Sequence, residues 1–140
     1  MRYLILFLIA FMTISCEETD LKKVEYHTTT MMGRTVTTVT PDSVVVTFSG
    51  RGEPTHYSRK TKSGEWASIV ESVKDIKFDE IAELEAPSNK RATDAAPFAK
   101  FVFETKKGTF ESNGFDGGNP HEMLMPVMKA IEEVKKGNEK

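Results

Sequence analysis

Residues 24–48 read VEYHTTTMMGRTVTTVTPDSVVVTF, and this stretch decides the fold. Val24 to Met32 is rich in β-branched and aromatic residues, Gly33-Arg34 suggests a tight turn, and Thr35 to Thr40 repeats the β-branched pattern. Thr40-Pro41-Asp42-Ser43 is a turn cluster, and Val44-Val45-Val46-Thr47-Phe48 is the clearest strand in the chain. Connections this short favour neighbouring strands paired antiparallel, as a meander. A fourth strand, Thr55 to Thr61, follows the loop Ser49-Gly50-Arg51-Gly52-Glu53-Pro54.

The apolar period then changes. Trp66, Ile69, Val70 and Val73 recur at helical spacing, with Ser63 placed to cap them, and Phe78, Ile81 and Leu84 continue as a short helical turn before Pro87. Residues 86–97 are a loop by composition. Phe98 to Thr105 and Thr109 to Asn113 make a hairpin around Lys106-Lys107-Gly108. Phe101 and Phe103 fall on one face of its first strand and Val102 on the other, the pattern of a central strand covered on both sides. Asn119-Pro120-His121-Glu122 has the chemistry of a helix start, with Asn119 as cap, Pro120 at the first helical position and Glu122 completing a capping box. Leu124, Val127, Met128, Ile131 and Val134 form the stripe behind it, closed by Lys135, Lys136 and Gly137. The expected fold is α+β: a six-stranded antiparallel sheet with two helices in the order ββββ-α-ββ-α, occupying residues 23–137 as a single domain.

Composition narrows the function classes. The chain has 140 residues, 19 Lys and Arg against 21 Asp and Glu, a formal net charge of −2 and one Cys. Its charge argues against a nucleic-acid partner, and its single Cys excludes a disulfide framework and any multi-thiolate metal site. His27, His56 and His121 show no ligand spacing, so neither a metal nor another cofactor is expected.

The N-terminus carries the most specific motif. Arg2 is followed by an unbroken apolar run from Leu4 to Met12, which fits the h-region of a signal peptide and is short of the ~20 residues a spanning helix needs. Ser15-Cys16 follows directly. MRYLILFLIAFMTISC resembles the lipobox of bacterial lipoproteins, with departures at Thr13 and Ile14. The resemblance implies a signal peptide over 1–15, lipidation of Cys16, and a polar tether over 16–22. It also implies a membrane-anchored place in the cell envelope, at the outer membrane of a Gram-negative bacterium, facing the periplasm or the surface. The mature chain has only a general likeness to small envelope lipoproteins, and that likeness supplies no catalytic residue.

Three features could carry recognition or chemistry. Residues 51–62 hold Arg51, Arg59, Lys60 and Lys62 against Glu53, whereas residues 71–85 are strongly acidic; Lys90 and Arg91 could extend the basic patch toward an acidic protein or glycan partner. The Gly-rich loop Asp116-Gly117-Gly118 runs into the helix start at His121, where free N–H groups could hold an anion, although no nucleotide fingerprint is present. Asp42-Ser43-Val44 resembles the acceptor tripeptide of some bacterial O-glycosylation systems, which makes Ser43 a candidate glycosylation site. The leading expectation is a non-enzymatic envelope lipoprotein that binds a protein or glycan partner. The alternatives are a small hydrolase or ligand-binding enzyme using Asp116 and His121 of the 114–122 loop, or an enzyme inhibitor presenting residues 49–54.

Overall fold

In the computed structural model, which describes residues 20–139, the meander comprises β1 (Leu21–Thr30), β2 (Gly33–Val39), β3 (Ser43–Gly50) and β4 (Thr55–Lys60). The chain then leaves the sheet as α1 (Glu65–Ser72), passes through 3-10 turns at Phe78–Glu83 and Lys90–Thr93, and returns as β5 (Phe98–Thr105). β6 (Gly108–Glu111), β7 (Phe115–Asp116) and α2 (Met125–Lys136) complete it. The strand order is β4-β3-β2-β1-β5-β6, with β7 also paired to β5, and every pairing is antiparallel. The α+β class and element order are as the periodicity predicts. A seventh strand is added: β7 has only two residues inside the Gly-rich loop, too short to leave an alternation in the sequence.

Register explains the core. Tyr26 lies opposite Phe101 and Thr37, and Val24 lies opposite Phe103 and Val39, so these side chains share one face of the sheet. That face packs on Ile69 of α1 and on Val127, Ile131 and Val134 of α2, all of them buried. Phe101 is central: its ring centroid lies 5.1 Å from Tyr26, 5.5 Å from Phe115 and 5.7 Å from Phe103, at the tilted angles that aromatic pairs favour. Leu21 is buried in the same core, so β1 begins inside the segment expected to be tether. The first-hairpin threonines divide between faces; Thr37, opposite Tyr26, is buried.

Among the described residues, the buried helix positions all belong to that one core, and none joins the opposite face. Val102 is buried there, outside the main hydrophobic cluster, between its cross-strand neighbours Glu25 and Glu111, whose alkyl stems shield it. β5 is therefore central, but long polar side chains rather than a second layer cover its outer face. A row of polar groups runs across this face, from Glu104 to Lys23 (2.9 Å), Lys23 to Glu25 (3.2 Å) and Glu25 to His27 (2.7 Å), with Arg34 donating to the other His27 nitrogen.

Both expected caps are corrected. α1 starts after Gly64, which is left-handed at φ 84°, and no Ser63 hydroxyl caps it; instead Glu65 accepts from the Lys62 N–H at 2.7 Å. His121, two residues beyond Asn119, caps the 3-10 turn Glu122–Leu124 that leads into α2, its Nδ1 accepting from the Met123 N–H at 3.1 Å, and α2 itself has no side-chain cap. Asn119 is committed elsewhere, with its N–H on the Asp116 carbonyl and its amide on Ser88. Pro126, rather than Pro120, occupies the start of α2.

Candidate functional site

The Gly-rich loop is wired into the fold. The Asp116 side chain is almost wholly buried on β7 and accepts from Ser88 Oγ (2.5 Å), the N–H groups of Lys90 and Arg91 (both 2.9 Å) and Arg91 Nη1 (3.2 Å). It thereby caps the 3-10 turn Lys90–Thr93 from across the molecule, a role that Asn89 at the cap position does not fill. Burial alone would raise its pKa. The hydrogen bonds from Ser88, Arg91 and Lys90 outweigh that and hold the carboxylate well below its usual range. Gly117 donates to the Pro97 carbonyl at 2.9 Å and Gly118 to the Tyr26 hydroxyl at 3.1 Å. The N–H groups expected to face an anion, the Asp116 carboxylate and His121 Nδ1 are thus all engaged in holding the chain.

The basic candidates separate into two groups. Arg59 sits at the seam between β4, α1 and the end of α2. Its donors meet Asn138 Oδ1 (2.6 Å), the Lys60 and Val134 carbonyls (3.0 Å each) and both oxygens of Glu65 (2.8 Å each), which uses its whole donor set. The bidentate bond from Arg59 drives the Glu65 pKa down, against a smaller opposing effect of burial. Lys62 adds a bond to the Gly137 carbonyl at 2.8 Å. Lys60, next in the chain, is exposed at the end of β4. Ser43 opens β3 with its hydroxyl half-buried against Thr40 Oγ1 at 3.2 Å. Cys16 and the signal-peptide segment lie outside the described residues.

Arg51, Lys90 and Arg91 belong to the other end of the sheet, where the β1–β2 turn lies. The Arg51 N–H donates to the Met32 carbonyl at 2.8 Å, and Arg91 lines a cleft of about 600 Å³ with Thr29, Met31, Met32, Pro97 and Phe98. Met31 is 72% exposed, Met32 58% and Phe98 44%, although each carries a large apolar side chain. The turn is held in this position by Gly33, at φ 150°, where a Cβ would lie 2.4 Å from the Ser49 carbonyl oxygen and 2.7 Å from Gly50 Cα. Only glycine allows the two strands so close, and the approach leaves Met31-Met32 as the turn. The sequence shows two methionines beside a glycine, but read as the end of a strand they gave no sign of a surface. An apolar pair where turns usually carry polar residues was the available signal.

The acidic stretch, by contrast, is partly neutralised by its own lysines: Lys74 pairs with Glu71, and Lys77 lies 3.5 Å from Glu80. Among the described residues, no group of three or more His, Cys, Asp or Glu is placed to hold a metal, and no helix is long and apolar enough to cross a membrane. Comparison with family models, with curated proteins and with solved structures finds no match for this chain.

Proposed function

We propose that this protein is an envelope lipoprotein, anchored through Cys16, whose folded part is a non-enzymatic binding module for a protein partner. The observation that carries the reading is the exposed apolar cluster of Met31, Met32 and Phe98 around a cleft, flanked by Arg51 and Arg91. Exposed apolar side chains gathered at one place and rimmed by polar ones mark interaction surfaces, and methionine suits partners whose shape must be accommodated. Asp116 and His121, the candidates for acid–base chemistry, are both committed to caps. Placement agrees with the anchor. β1 has ten residues, so at ~3.3 Å per residue the cluster stands about 30 Å from the N-terminal end of the domain. A tethered domain thus presents this end away from its attachment.

Two variants of the full chain in cells test the two halves separately. Cys16→Ser is expected to move the protein out of the membrane fraction. Met31→Asp combined with Met32→Asp is expected to leave it in that fraction but abolish its crosslinks to partners. Retained membrane association in the first, or unchanged crosslinks in the second, overturns the corresponding half.

A further inference from the structure

The cleft beside Met31 and Met32 contains one arginine whose donors are only partly used. Arg91 spends Nη1 on the Ser88 carbonyl (2.8 Å) and on Asp116 Oδ1 (3.2 Å), and the described bonds leave its Nε and Nη2 groups open. Its side chain is one-fifth exposed and forms part of the cleft wall. The guanidinium is thus already immobilised by a buried carboxylate, so a ligand would not have to order it on binding. A planar fork with free donors matches a carboxylate, and Arg91 is the one cation in the lining, with Asp94 as its one acid. Apart from Thr29 and Thr30, the remaining lining is apolar: Met31, Met32, Ala95, Ala96, Pro97 and Phe98.

We propose that the cleft takes an acidic polypeptide segment bearing an apolar side chain, with a carboxylate on Arg91 and the apolar group against Met31, Met32 and Phe98. The inference rests on the reading of this end as a docking surface and names the chemistry of what docks. A protein segment fits better than a fatty acid because the methionines are more than half exposed, so the cleft cannot enclose an acyl chain; a partner that covers the rim can bury them. It fits better than an anionic bilayer because the cleft offers a single placed guanidinium with Asp94 in the same lining, which suits one positioned carboxylate rather than a continuous sheet of negative charge.

The test uses the full chain in detergent micelles with its methionine methyl groups labelled for NMR. The probe is a seven-residue peptide alternating Glu with Leu and Phe. Its controls are the same peptide with Lys in place of Glu, and vesicles of phosphatidylglycerol. The acidic peptide is expected to shift the Met31 and Met32 methyl signals saturably while leaving Met123 unmoved. Arg91→Gln is expected to weaken binding at least ~10-fold, the effect of one lost charge-assisted bond. Met32→Ser, which leaves the Asp116 contacts intact, should weaken it as well and serves if Arg91→Gln fails to fold. Equal binding of the Lys peptide, indifference to both substitutions, or shifts produced by vesicles alone overturns the proposal. If the acidic peptide fails while Met31→Asp with Met32→Asp still abolishes partner crosslinks, the docking surface stands and only its partner's chemistry is wrong.

Discussion

Arg59 and Arg91 look alike in the sequence and do opposite work in the molecule. Each lies in a basic stretch and each meets a carboxylate. Arg59 has every N–H donor satisfied by β4, α1 and the end of α2, so nothing remains for a ligand. The Arg91 guanidinium engages a single nitrogen and lines an open cleft. The difference teaches that a basic residue becomes a binding candidate only once its internal bonds are subtracted.

Arg59→Ala leaves Glu65 partly buried without its partner and frees the end of α2, and should cost about 3 kcal/mol of stability in urea denaturation. The double change Arg59→Met with Glu65→Leu should cost clearly less, since no charge is left unpaired. A loss below about 1 kcal/mol for Arg59→Ala would make that pair a surface ornament.

Asp116 gives a pH signature. Its folded pKa is depressed below the ordinary value of 3.8, so its contribution is present above that value and is lost as pH falls from there toward the folded pKa. Stability measured from pH 5 down to pH 2 should therefore drop more steeply for the native chain than for Asp116→Asn, which also unfolds at lower temperature at pH 7. Parallel pH curves would contradict the assigned cap.

Arg91→Ala should cost only about 1 kcal/mol, because Ser88 and two backbone N–H groups still satisfy Asp116. Smallest of all, Met31→Ser with Met32→Ser should change stability by within about 0.5 kcal/mol while removing partner binding. A large loss there would mean the methionines are core residues rather than a surface.

The fold was largely legible because it rests on periodicity: the strand alternation of the meander, and the stripe at Leu124, Val127, Met128, Ile131 and Val134, every member of which is buried. Caps were less legible. Ser63 and Asn119 have the right chemistry at the right distance, but capping depends on which nearby donor is nearest in space, and Asn119 is drawn instead to Ser88. The site was legible only as a set of candidates. Arg51 and Arg91 were visible as charges, yet that both come to the Met31–Met32 turn depends on β1 lying between β2 and β5, a pairing made across more than sixty residues of chain. Asp116 was visible as a carboxylate next to glycines, but its partners Ser88, Lys90 and Arg91 lie in a loop with no periodic signal.

The central claim is that the Met31–Met32 end is the working surface. Its most direct test places a photo-crosslinking amino acid at position 32 or 98, and at the equally apolar, exposed positions 57 and 123 as controls, in the full chain in cells. The account predicts a discrete crosslinked partner from positions 32 and 98, lost when Arg91 is changed to Glu, and none from 57 or 123. The same partner from all four positions, or crosslinks confined to 57 and 123, would contradict it.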